Sequence, residues 1–348
     1  MIDLRRLKQT LDTEKLRHAT VGIFGLGGGT DFAVDLARNG VGNFRLTDLD
    51  VVGAENIARQ GFQQADVGTP KVKATAKKIK AVNAEASVLY FHMDCTKLTD
   101  EEADALFGDC DVLIAATDNL EAQVWINRLA LRDGIPAVWV GLYPSGAAGE
   151  IIFWKPGLDC YHCLCEHRIR KHEAAAEERR SLDPPSDGVT RFDVGIVDAI
   201  AGHIVLGLLT EGSDNRFGRL IERLGDRNFL QIKLDPDWQL NGRDVIRRGL
   251  GIAEECDAYI SWCTIACRNG ATLMPCRDCV ELRGHRFEET NCGEFSVFHR
   301  TDYGVDRDLV GGKELSAAAD ETTPQEEEAE SVSKRAADDP QVEQELGF

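Results

Sequence analysis

A glycine-rich turn and an acidic residue shortly after it are the first features of this sequence that indicate chemistry. Gly25, Gly27 and Gly28 follow the apolar residues 21–24, and Asp48 follows a second short strand-like stretch. Glycines let backbone N–H groups approach phosphates, and the N-terminus of the next helix adds a positive dipole end. A carboxylate about 20 residues later can accept hydrogen bonds from ribose hydroxyls. This order predicts a nucleotide-binding βαβ unit.

The glycine turn alone does not identify the nucleotide. Proteins that use NAD, FAD, S-adenosylmethionine or ATP all have such turns, and Thr30 stands where the third glycine of the GxGxxG pattern would fall. The residues that follow Asp48 are therefore needed to choose between these nucleotides.

Two CxxC pairs indicate a metal site. The chain has eleven cysteines and no apolar export signal at its start, which favours metal or thiol chemistry over a disulfide framework. Cys160 with Cys163 and Cys276 with Cys279 can supply the four sulfurs of a structural zinc site. Cys263 and Cys267 compete with Cys276 and Cys279 for the second half of that site.

Helical and strand patterns alternate along the first part of the chain. Near-continuous apolar runs, such as residues 111–116, are typical of central parallel strands buried on both faces. The alternation predicts an α/β fold with a doubly wound, mostly parallel sheet. The predicted strands are residues 21–25, 43–47, 87–92, 111–116, 137–141, 149–154 and 228–234, and the predicted helices are residues 1–18, 30–38, 71–82, 101–107, 120–131 and 194–209. Residues 166–193 read as a long charged loop that could be partly helical at its start, with the first CxxC pair in the turn before it.

Composition limits the class of protein. The chain has 348 residues, 43% of them hydrophobic, and a net charge of −19, which argues against binding nucleic acid through phosphate contacts. No apolar run is long enough for a membrane span, and the helix predicted at 194–209 reads as too short and too polar for one, so we expect a cytoplasmic protein without membrane contact. Residues 236–312 form a Cys-rich region. Residues 314–348 carry eleven acidic and two basic side chains, so 313–348 is predicted to be a disordered acidic tail.

Several motifs resemble the ThiF-like, ubiquitin-activating-enzyme-like superfamily. They occur from about residue 20 to 235 in the order of that family. They are GLGGG (25–29), ARNGVGNFRLTDLDVV (37–52), ENIARQ (55–60), DVGTPKV (66–72), ATDN (116–119), CYHC (160–163) and VGIVDAIAGHIVLGLLTEG (194–212). The resemblance implies a Rossmann-like adenylation domain over residues 1–235 that activates the C-terminal Gly-Gly of a ubiquitin-like or sulfur-carrier protein.

The resemblance also implies roles for individual residues. In adenylation a carboxylate attacks the α-phosphorus of ATP and pyrophosphate leaves, so the site needs cations more than a general base. Arg59 and Lys71 would hold the triphosphate, and Asp118 would bind Mg²⁺ with Asn119 beside it. Asn56 would contact the phosphates or the ribose; its alternative role is that of a turn residue, and the alternative for Asp118 is to cap the following helix.

The sequence departs from the family in three places. No cysteine pair follows the closing strand, no cysteine lies between 167 and 194 to accept the activated carrier, and the N-terminal segment is short. The resemblance implies a homodimer in which Arg5 or Arg6 reaches the partner's phosphate site. Zinc remains expected at Cys160, Cys163, Cys276 and Cys279.

Three other functions compete with carrier activation. A relative of the family could adenylate a peptide C-terminus or a tRNA nucleoside, although the acidic charge disfavours tRNA. A non-catalytic subunit of a heterodimer typically lacks the Arg, Lys or Asp, and all three are present here. An NAD-dependent oxidoreductase accounts for the glycines and Asp48 but gives no reason for ENIARQ, GTPK or TDN.

Overall fold

The computed structural model describes residues 2–178, 188–240, 242–253, 256, 259–267 and 276–283. All of these residues belong to one unit of the chain, Met1–Val305. The predicted acidic tail lies outside the described residues, and the predicted division of the chain at residue 235 stays a prediction.

Strands and α-helices alternate as far as β5. The strands are β1 (Thr20–Phe24), β2 (Asn43–Thr47), β3 (Ser87–Phe91), β4 (Val112–Ala115), β5 (Ala137–Leu142), β6 (Ala148–Trp154), β7 (Phe229–Lys233) and β8 (Cys263–Cys267). The α-helices are α1 (Thr13–His18), α2 (Gly29–Arg38), α3 (Lys71–Val82), α4 (Asp100–Phe107), α5 (Leu120–Asp133), α6 (Tyr161–Glu177), α7 (Arg191–Leu209), α8 (Leu220–Leu224) and α9 (Val245–Gly249). Most bounds agree with the sequence-based expectation to within three residues.

The strands form one eight-stranded sheet in the order β3-β2-β1-β4-β5-β6-β7-β8. β1 to β5 pair in parallel, whereas β6, β7 and β8 join in antiparallel fashion. Every residue of β1, β4 and β6 is buried, as expected for central strands covered on both faces. This confirms the predicted α/β class with a mostly parallel sheet.

Helices cover both faces of the sheet. On one face α2, α3 and α7 bury residues such as Phe32, Ile79 and Val205 in a shared core. On the other face α4, α5 and α6 contribute Phe107, Ile126 and others to a second core. The doubly wound arrangement leaves the carboxyl ends of the parallel strands as the edge where loops can meet a ligand.

The structure corrects the prediction for residues 161–178. The first CxxC pair does not lie in a turn followed by a loop: Cys160 is the N-cap of α6, which continues to Glu177. The charged residues read as loop are mostly Glu, Arg, Lys and Ala, which are good helix formers. The part of the predicted loop at 179–187 lies outside the described residues, and α7 begins at Arg191 behind a capping box made by Thr190 and Asp193.

The structure differs from the sequence-based prediction at two further places, the β7 edge of the sheet and the N-terminal segment. β7 does not close the sheet, because β8 pairs with it along Phe229–Lys233. At the N-terminus only Thr13–His18 is α-helical, and Asp12 caps it by accepting a hydrogen bond from the Lys15 amide. The residues before Asp12 that were predicted to be helical form turns instead.

Among the described residues one helix, α7, is long and apolar enough to cross a membrane by length and composition. The sequence-based judgement that it is too short and too polar was therefore too strict. In the structure Val197, Ala201 and Val205 of this helix lie in the core against the sheet. Helices buried in the core of a protein can be equally long and apolar, so length and composition alone do not make α7 a membrane span.

Gly25 has a backbone conformation that only glycine tolerates in this place. Its φ is +87°, and a Cβ there would lie 2.6 Å from the Ala116 carbonyl oxygen. Gly134 also has a positive φ, +67°, but no atom lies within 4 Å of an added Cβ. We expect Gly134→Ala to lower the free energy of unfolding by about 1–2 kcal/mol and Gly25→Ala by roughly 2–5 kcal/mol, because the second adds a backbone clash. Urea denaturation of both variants measures the difference, and equal losses would contradict the close approach of Gly25 to Ala116.

Candidate functional site

The carboxyl ends of β1, β2 and β4 lie side by side. Phe24, the last residue of β1, is in register with Thr47 of β2 and Ala115 of β4. The sheet order reverses between β1 and β4, and open α/β sheets bind ligands in the crevice at such a point. The loops that leave these three strands carry the predicted nucleotide-binding residues.

The glycine turn packs against neighbouring loops. The Gly25 amide donates to the Thr47 carbonyl oxygen over 3.0 Å. A Cβ on Gly27 would lie 3.2 Å from the side-chain amide of Gln60, and one on Gly28 would lie 3.2 Å from Val194. The turn is therefore enclosed by the ENIARQ segment on one side and by α7 on the other.

Thr30, which replaces the third glycine, is fully buried at the start of α2. Its hydroxyl donates to the Leu26 carbonyl oxygen over 2.6 Å and lies 2.9 Å from the hydroxyl of Thr75 on α3. The side chain therefore ties the glycine turn to α3, where a glycine would leave α2 and α3 without this link.

Asp48 holds the glycine turn in place. One carboxylate oxygen accepts a hydrogen bond from the Leu26 amide (2.6 Å) and the other from the Asp50 amide (2.7 Å). Burial raises the pKa of Asp48, although these hydrogen bonds and the charge of Lys71 act in the opposite direction. Each oxygen keeps a second lone pair with which it can accept a ribose hydroxyl.

Lys71 begins α3 with a buried side chain, and its ammonium lies 2.7 Å from Asp50. Its backbone amide also donates to the Asp50 carbonyl oxygen over 2.9 Å. From its place two residues after Asp48, Asp50 could contact the nucleotide or merely end the strand, and the sequence alone left both roles open. The pair holds a buried cation beside the glycine turn, which is the charge a phosphate would meet.

The ENIARQ segment forms a tight turn between β2 and α3. Asn56 is buried, and its side-chain oxygen accepts a hydrogen bond from the Gly53 amide over 2.9 Å. Asn56 is thus a turn residue in this structure, and its role as a ligand stays a prediction. Arg59 follows as a half-buried residue whose amide donates to the Asn56 carbonyl oxygen.

Asp118 lies exposed just after β4, at the same edge of the sheet. It does not cap α5; Asn119 does, because its side-chain oxygen accepts from the Ala122 amide over 2.9 Å. Asn119, and not Asp118, therefore has the alternative role of helix cap. The structure brings the glycine turn, Asp48, Lys71 and the Asp118 loop to one strand edge. At the N-terminus, Arg5 is exposed and paired with Asp3.

The four cysteines named by the zinc prediction come together. The sulfurs of Cys160, Cys163, Cys276 and Cys279 all lie within 4.8 Å of one another, and all four residues are buried. Neighbouring sulfurs are 3.5–3.8 Å apart. A tetrahedral zinc ion with Zn–S bonds of about 2.3 Å requires sulfurs about 3.8 Å apart, so the donor set fits zinc. Cys263 and Cys267 lie on β8, outside this cluster.

Hydrogen bonding within the cluster shifts the pKa values of its thiols in opposite directions. The Cys160 side chain donates to Cys163, which lowers the pKa of Cys163 and raises that of Cys160. A hydrogen bond with Cys160 likewise lowers the pKa of Cys276, to about 7. Thiolate is the form that binds metal, so the lowered pKa values of Cys163 and Cys276 favour metal binding, whereas Cys160 would have to lose its proton as the ion binds.

A buried carboxylate joins the two CxxC loops. Asp278, fully buried between Cys276 and Cys279, accepts hydrogen bonds from Asn127 (3.1 Å) and Arg128 (2.7 Å) of α5 and lies 3.0 Å from His162 Nδ1. The sequence alone gave no sign of this role, because an Asp within a CxxC motif resembles an exposed loop residue. These contacts attach the segment at 276–279 to α5, and through His162 they attach it to the start of α6.

An acidic group lies where α7 meets α2. Arg191 of α7 forms a 2.7 Å ion pair with Asp31. Asp198 lies about two turns further along α7, and its enclosed Oδ2 has no hydrogen-bond partner among the described residues. Burial raises the pKa of Asp198 to about 8, reinforced by the charges of Asp31 and Asp35 and opposed by Arg191.

The strand order, the glycine turn and the surrounding charges define a nucleotide-binding α/β protein with a four-cysteine site. A family model described as the ThiF family matches residues 2–222, and the chain therefore belongs to the ThiF family. This confirms the resemblance read from the motifs.

Named relatives share part of the chain. The sulfur carrier protein ThiS adenylyltransferase of Bacillus subtilis is 32% identical over 158 residues, which are 44% of this chain and 46% of that protein. The chain therefore spans about half the length of that relative. The SAMP-activating enzyme E1 of Haloferax volcanii is 28% identical over 258 residues, 72% of this chain and 89% of that protein.

Solved structures share the fold. The crystal structure of Escherichia coli MccB with AMPCPP and MccA superposes with a TM-score of 0.52 at 21% identity and covers 67% of each chain. The structure of PaaA gives a TM-score of 0.51 at 24% identity over 65% of this chain and 73% of that one. Identities this low show the fold alone.

Substitution of single cysteines tests which of them hold zinc. We expect the purified protein to contain one zinc ion per chain and Cys276→Ser to lower that content to near zero, because a serine hydroxyl replaces one of four thiolates. Cys263→Ser, the matched control on β8, keeps one ion. Mass spectrometric metal analysis after gel filtration measures both, and zinc loss from Cys263→Ser with retention in Cys276→Ser would contradict the assignment.

Asp198 gives the folded protein a pH dependence of stability. Its folded-state pKa is about 8, against 3.8 for an ordinary Asp. Between these values the folded state holds a proton that the unfolded chain has released, so the free energy of unfolding decreases as the pH rises towards 8. We expect Asp198→Asn to remove this decrease and to be more stable than the parent at pH 9 by roughly 2–4 kcal/mol.

Urea unfolding at pH 6, 7.5 and 9 measures this effect. Asp237→Asn is the control, because Asp237 is an exposed carboxylate of the same type. An Asp198→Asn protein with the same pH slope as the parent would contradict the raised pKa.

Proposed function

We propose that this protein uses ATP and Mg²⁺ to adenylate the C-terminal glycine carboxylate of a small ubiquitin-fold or sulfur-carrier protein. The observation that carries the proposal is the meeting of the glycine turn, the Lys71–Asp50 pair and the Asp118 loop at one edge of the sheet. The names of the Bacillus and Haloferax relatives, an adenylyltransferase and an activating enzyme, support the same reaction.

The nucleotide is held by backbone and carboxylate groups. Gly25, Gly27 and Gly28 place backbone N–H groups against the phosphates at the N-terminus of α2, where the helix dipole favours negative charge. Asp48 accepts hydrogen bonds from the ribose hydroxyls. Because Asp48 already binds the Leu26 amide, the ribose and the turn are positioned by one side chain.

The triphosphate is neutralised by three charges. Lys71 is a buried point charge, and Arg59 offers a planar fork for phosphate oxygens. Asp118 would hold Mg²⁺, which would supply positive charge for the phosphates, and Asn56 and Asn119 would contact the nucleotide from the two loops. A triphosphate at this edge competes with Asp50 for the ammonium of Lys71, so Asp50 places the lysine when the nucleotide is absent.

The reaction needs no general base. The carrier's C-terminal carboxylate is ionised at neutral pH, and its oxygen forms a bond to the α-phosphorus while the bond from that phosphorus to the bridging oxygen breaks. Pyrophosphate leaves with the electron pair, and an acyl adenylate remains. Charge develops on the leaving phosphates, which is where Arg59, Lys71 and Mg²⁺ stabilise the transition state.

Zinc has a structural role in this proposal. Four thiolates close the coordination shell of a tetrahedral ion and leave no position for substrate. Cys160, Cys163, Cys276 and Cys279 therefore hold the segment at 276–283 against α5 and α6. A homodimer in the cytoplasm, with Arg5 or Arg6 at the partner's site, completes the proposal and rests on the family resemblance.

Carrier-dependent exchange between ATP and labelled pyrophosphate tests the reaction. We expect exchange with a carrier that ends in Gly-Gly and loss of at least about 100-fold in Asp118→Asn, because one carboxylate ligand of Mg²⁺ is removed. Asp111→Asn is the matched control at the opposite end of β4, where an Asn oxygen can still accept from the Thr20 amide.

Two outcomes would contradict the proposal. One is the absence of exchange with every carrier together with tight NAD binding, which would favour an oxidoreductase. The other is full exchange by Asp118→Asn. Exchange with a free peptide C-terminus and none with carrier proteins would identify a different substrate for the same chemistry.

A further inference from the structure

Helix α5 connects the four-cysteine cluster to the Asp118 loop through buried hydrogen bonds. Tyr161 directly follows Cys160 and is almost fully buried. Its hydroxyl donates to Gln123 Oε1 over 2.5 Å, and Gln123 Nε2 donates to the Thr117 carbonyl oxygen over 2.6 Å. We call this chain of three residues, Tyr161, Gln123 and Thr117, the α5 bridge.

At one end the α5 bridge holds the peptide that precedes Asp118. The hydroxyl of Thr117 accepts a hydrogen bond from the Asn119 amide over 3.2 Å, so the residues on both sides of Asp118 are linked. The Thr117 amide also lies close to the glycine turn, 2.9 Å from the Cβ position of Gly25. The carbonyl group bound by Gln123 thus belongs to the loop that joins Asp118 to the nucleotide turn.

At the other end the bridge is fixed to both CxxC loops. Asn127, one helical turn after Gln123, accepts from the Tyr161 amide (3.1 Å) and donates to Asp278 (3.1 Å). The ring of Tyr161 stacks on Trp139 with a centroid distance of 5.1 Å, and the Trp139 indole donates to the Gln123 carbonyl oxygen. The contacts of Tyr161 with Asn127 and Trp139 therefore fix the position of its side chain.

We propose that Tyr161 and Gln123 are positioning residues that set the Asp118 loop for Mg²⁺-bound nucleotide, and that the four-cysteine site acts on the nucleotide site through them. The role rests on the proposed function, because it assumes that Asp118 binds Mg²⁺. A buried hydrogen bond that loses one partner leaves the other polar group unsatisfied, so Gln123 and Thr117 rearrange when the Tyr161 hydroxyl is removed.

Tyr143 provides a matched control. It is a second largely enclosed tyrosine, and its hydroxyl donates to Glu150 Oε2 over 2.8 Å in the same polar layer. Its hydroxyl does not bind Gln123 or Thr117; it is linked to Tyr161 only through Glu150 and Arg168, whose Nη1 lies 3.5 Å from the Tyr161 hydroxyl. Tyr161→Phe and Tyr143→Phe each remove one buried hydroxyl, so a merely structural role predicts the same effect from both.

The test measures nucleotide binding by calorimetry on the zinc-loaded, full-length protein without carrier. We expect Tyr161→Phe and Gln123→Met each to raise the Kd for Mg²⁺·ATP about tenfold, the equivalent of one buried hydrogen bond, and the double variant to raise it no further. The Kd for ATP in magnesium-free buffer without a chelator changes less than twofold, because the bridge acts through the Mg²⁺ ligand. Tyr143→Phe changes neither constant by more than about twofold, and all variants keep one zinc ion per chain.

A second readout uses the reciprocity of coupled sites. If the bridge links the two sites, Mg²⁺·ATP slows the release of zinc to a chelator in the parent protein and in Tyr143→Phe, and it has no such effect in Tyr161→Phe. Equal Mg²⁺·ATP affinities in Tyr161→Phe and Tyr143→Phe would overturn the bridge and leave the proposed function intact. A parent protein that binds no Mg²⁺·ATP would overturn both.

Discussion

The close approach of two strand ends determines where everything else in this site lies. Gly25 leaves β1 with a left-handed backbone and passes so near the Ala116 carbonyl group that a side chain would overlap it. This contact places the glycine turn directly against the loop that carries Asp118. Parallel register with β2 then places Asp48 next to the same turn, where it binds the Leu26 amide. Neighbouring strands and one glycine thus assemble residues that are far apart in sequence.

α5 extends this arrangement to the opposite face of the sheet. It begins at Asn119, beside the candidate Mg²⁺ ligand, and its polar residues Gln123 and Asn127 lie one turn apart on the side that faces the CxxC loops. A 14-residue helix is stiff over that distance, so a contact at one place constrains the other. In the proposed coupling, the four-cysteine cluster holds the segment at 276–283 and also fixes the orientation of α5, the helix that starts beside the candidate nucleotide site.

Local signals were enough to predict the elements around the glycine turn. Apolar runs, the helical period of residues 30–38 and the lysine-rich face of residues 71–82 each depend on residues close in sequence, and the structure has those elements. The start and the full length of α6 were missed, because its charged residues look like a solvated loop and only a helical start to that loop was left open. The CxxC pattern was enough to name Cys276 and Cys279 as partners of Cys160, but it left Cys263 and Cys267 as competitors, because Cys276 lies 116 residues away and the choice depends on contacts such as that of Asp278 with α5. Contacts such as Lys71 with Asp50, or Gln123 with Thr117, depend on helix phase and strand-end geometry that no local pattern contains.

Charge at the strand edge explains why the carboxylates there have different tasks. Asp48 accepts hydrogen bonds from two backbone amides and Asp50 is paired with Lys71, whereas the proposed function assigns Mg²⁺ to Asp118 at the end of β4. A triphosphate brings about four negative charges to an edge that already carries these three carboxylates, and two nearby cations offset only part of that repulsion. In the proposed function, a divalent ion held by Asp118 would supply the missing positive charge. The position of that loop therefore determines whether a protein with a net charge of −19 can bind a polyanion at this edge.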